Sequence, residues 1–232
     1  MINPAINPTC GSVLFVSRHG AYGSDMQPSE RTSNQTSADT VFRSSPVDTH
    51  TVLNQPPPLV DYDVFGSDTA LVEAAALFGS EEAAPALSKL GNLASSEQVQ
   101  QWAVEADTYT PVLRAHDRYG RRVDEVDFHP AWHALMNEAV SAGLHAAPWA
   151  SADPSAHVTR AAGFLTWYQS EAGHGCPISM TYAAVPALNV DPVVAAEWVP
   201  GLTSSTYDFG LRSPASKAGL IAGMSMTEKQ GG

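Results

Sequence analysis

Apolar residues recur at three- and four-residue spacing through most of positions 60–200, between capping residues, prolines and glycines. This spacing places the apolar side chains on one face of a helix, so it predicts a succession of amphipathic helices. Counting their capping residues, the predicted helices run from Ser67 to Gly79, from Ser80 to near Gly91, from Ser95 to Ala106, from Pro130 to Gly143, from Asp153 to Ala172, from Pro177 to Pro186 and from Asp191 to Val199.

Other segments depart from this helical pattern. Residues 112–128 contain two short runs around a turn and predict a hairpin or an irregular excursion, and residues 201–216 predict a loop. Residues 218–226 predict a strand. Residues 1–49 are rich in Ser and Thr and poor in apolar clusters, so they predict a disordered extension. The predicted organisation is therefore an extension over 1–49, a helical domain over 50–216, and the beginning of a β-domain over 217–232.

Composition argues against several classes of binding partner. The 232 residues are 44% hydrophobic, which is enough for a core, and carry a net charge of -12. That charge argues against a grip on nucleic acid, whose phosphates require Lys and Arg. The two cysteines, Cys10 and Cys176, form no paired motif, which favours a reduced, cytoplasmic protein. We find neither a secretory signal nor an apolar run long enough to span a membrane, so no membrane partner is expected.

Three short patterns could carry chemistry of their own. An apolar run followed by Arg18-His19-Gly20 resembles the histidine phosphatase signature, which remains a remote alternative because helices rather than a parallel sheet follow. His129 and His133 have the spacing of a metal pair, but no Glu follows His129 and that residue can cap a helix. His174 and Cys176 are separated by one glycine, and Cys176 fits a small apolar position at a helix start. The sequence therefore predicts no metal site.

The last ten residues, GMSMTEKQGG, suit a planar ligand that accepts hydrogen bonds. Thr227 offers a hydroxyl and a backbone N–H, and Met224 and Met226 offer soft apolar surfaces. Glycines allow the main chain to approach closely. Backbone donors of this kind stabilise the negative charge of a reduced flavin.

These ten residues also resemble the flavin-binding loop of the acyl-CoA dehydrogenase superfamily, in which a Thr-Glu pair precedes Gly-Ser-Asp. Three further stretches are similar to the AidB-like adaptive-response flavoproteins of that superfamily: THTVLNQPPPLVDYD at 49–63, GRRVDEVDFHPAWHALM at 120–136 and EAGHGCPISMTYAA at 171–184. The resemblance covers about residues 50–232. It implies a mainly α fold, namely the N-terminal helical domain of the acyl-CoA dehydrogenase fold with the first strand of the following β-domain.

The resemblance implies an FAD-dependent oxidation of acyl thioesters at the Cα–Cβ bond, within the response to DNA alkylation. Helical blocks 154–172 and 177–185 would wall the acyl pocket, and the Met226 N–H and Thr227 hydroxyl would be the best donors to the flavin. The residues expected to line the cofactor are Met224, Ser225, Met226, Thr227, Glu228, Lys229, Gln230, Gly231 and Gly232.

In this superfamily the catalytic carboxylate belongs to the C-terminal domain, so no catalytic residue is nominated here. The chain is expected to be the N-terminal portion of such a protein and to be inactive alone. The resemblance also implies an acyl-CoA-like substrate and a homotetramer. DNA contact belongs to a basic C-terminal region, so none is expected from this segment. The alternative is a non-catalytic helical scaffold or a DNA-protection module.

Overall fold

The computed structural model describes residues 49–50, 52–225 and 229–230. The chain divides into one unit formed by Gly20–Leu59 and another that contains Val60–Gly232. In the first unit, residues 52–59 form neither helix nor strand. All elements described below belong to the second unit.

The mainly α fold class is confirmed. The helices are α1 (Thr69–Phe78), α2 (Ala84–Ala94), α3 (Glu97–Thr108), α4 (Pro130–Ser141), α5 (Ala156–Trp167), α6 (Gly175–Leu188) and α7 (Pro192–Leu202). Short 3-10 turns lie at Glu81–Ala83, Ala147–Ala150 and Pro214–Ser216. In the part of the chain that the structure describes, no helix has the length and apolar character needed to cross a bilayer.

Two helices begin one residue later than predicted. The side chain of Asp68, not Ser67, accepts the N–H of Leu71 at 3.0 Å and caps α1. Ser96, not Ser95, caps α3. Ser95 is buried and instead accepts the N–H of Tyr62 at 3.0 Å. Its hydroxyl is therefore engaged in a contact across 33 residues, which local capping rules do not include.

Helices α5, α6 and α7 also differ from the predicted bounds. Asp153 accepts the N–H of Ser155 at 2.8 Å in the turn before α5, so the helix starts three residues after Asp153. Helices α6 and α7 continue through Pro186 and Pro200. Each proline lies two residues from the helix end, so it interrupts the backbone ladder only in the last turn.

The predicted hairpin is confirmed as an antiparallel pair of strands, β1 (Val112–His116) and β2 (Arg122–Asp127). Arg114 lies opposite Glu125 in the register and joins the strands by ion pairs to Glu125 at 2.7 Å and Asp127 at 2.6 Å. Opposite charges on paired strands stabilise the hairpin modestly, because the arginine is partly exposed.

The main core lies between α2, α3, α4, α5 and α6. The side chains of Leu135 and Val99 are completely buried there, and Trp167 is 1% exposed. A second cluster joins α1, α2 and α5 through Phe65, Ala75, Leu87 and Ala162. These apolar contacts supply most of the stability of the helical bundle.

The predicted strand over 218–226 is not formed by the residues that the structure describes, 218–225. Its backbone instead docks on the helices. The N–H of Leu220 donates to the carbonyl of Gly201 at 2.9 Å, and the N–H of Ala222 donates to the Thr181 hydroxyl at 3.0 Å. A strand requires the backbone of a neighbouring strand, and none lies beside these residues in the described part of the chain.

We predict that Gly91→Ala destabilises the fold. A Cβ at position 91 would lie 2.7 Å from the backbone nitrogen of Phe65, which cannot move as a side chain could. We expect a loss of about 1–3 kcal/mol in the free energy of unfolding despite the better helix propensity of Ala. Urea unfolding measures it, with the exposed neighbour change Asn92→Ala as control, expected within about 0.5 kcal/mol of the parent. An unchanged Gly91→Ala protein would contradict this packing.

Candidate functional site

A cleft of about 890 Å³ opens on one side of the helical unit. Its walls come from the end of α3, from β2, from the starts of α4 and α6, from the loop after α7 and from residues 220–224. The lining is mainly apolar. The size and lining are typical of a site for a small organic molecule.

Aromatic rings form one wall of the cleft, which we call the aromatic wall and define as Phe128, Trp132, His133, Tyr207 and Phe209. Phe128 stacks on Trp132 with ring centroids 4.0 Å apart, and His133 stacks on Phe209 at 4.2 Å. Trp132 and His133 lie in the first turn of α4, Phe128 lies two residues before that helix, and the last two rings come from the loop after α7. Such a wall suits a planar or extended apolar group.

His133 and Tyr207 form the polar contact within the aromatic wall. His133 Nδ1 lies 2.8 Å from the Tyr207 hydroxyl. Burial lowers the pKa of His133 to about 4, and burial raises the pKa of Tyr207. Both groups are therefore neutral at pH 7, and this pair adds hydrogen-bonding capacity to the cleft without adding charge.

A second hydrogen-bond network lies at another part of the cleft, next to the start of α6. The indole N–H of Trp167 donates to His174 Nε2 at 2.6 Å, so the imidazole proton must lie on Nδ1. That Nδ1–H donates to Glu171 Oε2 at 2.7 Å. Because His174 is 1% exposed, both of its nitrogens need such partners.

Glu171 lines the cleft as a fixed carboxylate. It accepts the backbone N–H groups of Gly173 and His174 in addition to the His174 side chain. Burial opposes ionisation, but these hydrogen bonds outweigh it and lower the pKa of Glu171 to about 2. Glu171 is therefore charged at all ordinary pH values, and its tight hold on three donors makes it a weak base.

Three of the remaining charged groups that line the cleft lie in the loop after α7, and the fourth, Asp107, lies at the end of α3. Arg212 forms an ion pair with Asp208, whose other oxygen accepts the N–H of Ala218 at 2.9 Å. The Lys217 ammonium donates to the Gly210 carbonyl at 3.0 Å, and burial lowers its pKa although Asp208 opposes the shift. These contacts hold the loop in the form that presents Tyr207 and Phe209.

The predicted cofactor segment reaches this cleft in part. Met224 lines the cleft and is 56% exposed, whereas Ser225, Lys229 and Gln230 are exposed residues outside its lining. The other predicted cofactor residues lie outside the described residues: Met226, Thr227, Glu228, Gly231 and Gly232.

The other candidate residues have structural explanations where the structure describes them. His129 caps α4, because its Nδ1 accepts the N–H of Ala131 at 3.3 Å, which confirms the capping interpretation. Cys176 is exposed in the first turn of α6 and lines the cleft. No three His, Cys, Asp or Glu side chains among the described residues come close enough to hold a metal ion. The Arg18-His19-Gly20 pattern lies outside the described residues.

Sequence reasoning missed the two side-chain networks of the cleft. Glu171 and His174 are three residues apart, which is a visible signal for a local pair. Trp167 is seven residues before His174, at the end of α5, and no local pattern includes it. His133 and Tyr207 are 74 residues apart, so no local pattern relates them.

The helical unit and its cleft define the class of the protein. The fold is that of the N-terminal helical domain of acyl-CoA dehydrogenases. More narrowly, the sequence model of the family described as the adaptive response protein AidB N-terminal domain matches residues 54–209, and the chain belongs to this family.

Relatives agree with this assignment. The chain is 41% identical over 186 residues to AidB of Escherichia coli (strain K12), which is named as an acyl-CoA dehydrogenase; the match covers 79% of this chain and 34% of that protein. The structure of Bd2924 in its apo form has a TM-score of 0.66 at 29% identity, over 78% of this chain and 35% of that one. The chain thus spans about a third of the length of these relatives.

A more distant structure shows the same fold. Caenorhabditis elegans ACDH-11, solved in complex with C11-CoA, has a TM-score of 0.64 at 23% identity. The match covers 80% of this chain and 32% of that chain.

We predict that Trp167→Phe costs about 1–3 kcal/mol of unfolding free energy, since the variant leaves the buried His174 Nε2 without a donor. Trp149→Phe is the matched control. Trp149 also donates one indole hydrogen bond, to the Tyr182 carbonyl at 2.9 Å, but it is 37% exposed, so water can replace the bond. Equal losses in the two variants, measured by urea unfolding, would argue against the buried network.

We also predict that the protein loses stability as pH falls from about 6.5 to about 4. The folded-state pKa of His133 is about 4, below its ordinary value of 6.5, so its stabilising contribution is complete above pH 6.5. Unfolded chains bind more protons in that window. Burial shifts the pKa of His145 in the same direction.

Comparison with His133→Phe isolates the contribution of His133. Because the ring is partly exposed, we expect a difference in pH dependence on the order of 1–2 kcal/mol across this window. Urea midpoints at pH 7 and pH 4.5 measure it. If the urea midpoint changed equally between the two pH values in parent and variant, the lowered pKa of His133 would be excluded. The contribution of Glu171, whose pKa is lowered from 4.5 to about 2, is present above pH 4.5 and lost only below that value.

Proposed function

We propose that this chain supplies the helical wall of the active-site cleft of an FAD-dependent enzyme that oxidises acyl thioesters at the Cα–Cβ bond, within the AidB-type response to DNA alkylation. The observation that carries the proposal is the apolar cleft at which residues 220–224 lead directly into the Met226–Gly232 segment. Membership of the AidB N-terminal family supports it.

The acyl group would lie along the apolar part of the cleft. Val126, Pro177 and Met180 line this part of the cleft from β2 and from α6. Burial of methylene groups against these side chains would supply binding energy of about 0.8 kcal/mol each. The structure of ACDH-11 in complex with C11-CoA supports an acyl chain as the occupant of this cleft.

The described residues next to the predicted cofactor segment use only alternate backbone N–H groups on the described part of the chain. Leu220 and Ala222 use their N–H groups on the helices, whereas the N–H groups of Ile221 and Gly223 make no hydrogen bond to any described residue. Alternation of bonded and unbonded N–H groups is typical of an extended backbone that has a partner on one side. We therefore propose that residues 217–232 begin a β-domain.

Bound FAD would supply the acceptor for the hydride that leaves the substrate. The Met226 N–H and the Thr227 hydroxyl would hold its ring, and the aromatic wall would exclude water from it.

No catalytic base is assigned to this chain. Glu171 lines the cleft, but with a pKa of about 2 and three donors it would take a proton poorly. We propose that the base is a carboxylate from the part of the protein that corresponds to the remaining two thirds of the relatives.

We further propose a cytoplasmic homotetramer in which this segment makes no contact with DNA. The net charge of -12 supports the last point, because duplex phosphates would repel such a surface.

Flavin binding and reduction test the proposal. We expect the protein translated from the whole gene to carry FAD absorbance that bleaches when C11-CoA is added without oxygen. Thr227→Val should weaken FAD binding about five- to tenfold through loss of one hydrogen bond. Thr69→Val, an exposed change at the start of α1, is the control and should leave binding unchanged.

The 232-residue chain on its own is expected to retain little FAD and to oxidise no thioester. A whole-gene product that binds no FAD, or whose flavin stays oxidised with acyl-CoA substrates of every length, would overturn the proposal.

A further inference from the structure

We infer that His133 donates a hydrogen bond from Nε2 to a carbonyl oxygen of the molecule bound in the cleft, and that Tyr207 fixes the imidazole proton on that nitrogen. The identity of the bound molecule rests on the proposed function. The proton assignment rests on the contacts of His133 alone.

The ring of His133 is held on several sides. Phe209 stacks on one face at 4.2 Å, and Trp132 lies edge-on at 5.5 Å. The Tyr207 hydroxyl holds Nδ1 at 2.8 Å. An imidazole fixed by stacking and by one hydrogen bond points its second nitrogen in one direction, as a positioning group requires.

The contact with Tyr207 determines which nitrogen carries the proton. The lone pair of a neutral imidazole is a far stronger base than a phenol oxygen, and a phenol is the better donor. The favoured arrangement is therefore Tyr207 O–H donating to His133 Nδ1, which leaves the proton on Nε2. That Nε2–H makes no hydrogen bond to any residue that the structure describes, and His133 lines the cleft.

The chemistry of the donor identifies its acceptor. Burial keeps the imidazole neutral at pH 7, so it offers a directed hydrogen bond rather than a positive charge. Charged side chains of both signs line the same cleft, Asp107, Glu171 and Asp208 beside Arg212 and Lys217, so the cleft as a whole does not select an anion. A neutral carbonyl oxygen matches both conditions. Two molecules could present it, the acyl thioester and the flavin ring.

Binding measurements with two probes distinguish these sources. In the whole-gene protein, FAD affinity is measured by fluorescence quenching, and C11-CoA affinity by the spectral change of the FAD-loaded protein. We expect His133→Phe to weaken either the FAD affinity or the C11-CoA affinity about five- to tenfold, and the affected affinity identifies the molecule whose carbonyl is bound. His133→Gln, which keeps an N–H donor, should recover part of that affinity.

Further variants separate positioning from folding. Tyr207→Phe keeps the aromatic wall but removes the hydrogen bond to His133 Nδ1. We therefore expect a smaller loss, about two- to threefold, in the same affinity that His133→Phe weakens. His116→Phe changes an exposed histidine of β1 outside the cleft and should alter neither affinity. If both affinities of His133→Phe stay within about twofold of the parent, the inference is overturned.

A direct readout keeps the inference separate from the proposed function. Nitrogen-15 NMR of the imidazole in the same protein reports which nitrogen is protonated, with or without ligand. We expect the Nε2–H form at pH 7, and conversion to a mixture in Tyr207→Phe. The Nδ1–H form in the parent would overturn the inference even if FAD and C11-CoA bind. If neither probe binds the parent but Nε2–H is found, the proposed function fails and the proton assignment stands.

Discussion

The cleft depends on the way one buried imidazole is satisfied. His174 is almost completely enclosed, so each ring nitrogen needs a partner, and the partners come from different places: the indole of Trp167 at the end of α5 and the carboxylate of Glu171 in the turn that follows. Because the indole can only donate, it fixes the tautomer, and the tautomer in turn fixes the carboxylate. The same carboxylate then binds the N–H groups at the start of α6. One hydrogen-bonded series thus links the end of α5 to the start of α6 and holds the Glu171 part of the cleft lining in place.

The other boundary of the cleft depends on close approach of the backbone. Leu220 packs into a small cluster with Ala146, Val185 and Leu202, and it can do so because Gly201 has no side chain: a Cβ there would lie 2.7 Å from the Leu220 side chain. Thr181 accepts the next paired N–H of the segment and donates to the Pro177 carbonyl at 2.7 Å. Within the described residues, the extended segment is therefore attached to α6 and α7 along one edge, and its other edge makes no backbone hydrogen bond to them.

The helices could be predicted from sequence because their signals are local. Periodic apolar residues, together with Pro130 and Asp191-Pro192 at helix starts, gave the right elements in the right order. One of the errors has a long-range origin. Ser95 is a good cap by type, but a partner from residue 62 engages its hydroxyl. The site could be predicted only where it lies in one segment, since the contact of Tyr207 with His133 joins residues far apart in the chain.

The ionisable groups of the cleft indicate what this part of the protein can contribute to a reaction. A base that works near pH 7 needs a pKa close to that value. Among the described side chains of the cleft, hydrogen bonds stabilise the Glu171 anion and burial stabilises the neutral form of His133, so both pKa values lie well below 7. Asp208 is occupied by Arg212 and by a backbone N–H. Hydrogen bonds and burial thus hold Glu171 and His133 each in a single charge state over the neutral range, which favours binding and orientation of a ligand over proton transfer by these two groups. In the proposed enzyme, proton removal would therefore have to come from a carboxylate outside these residues.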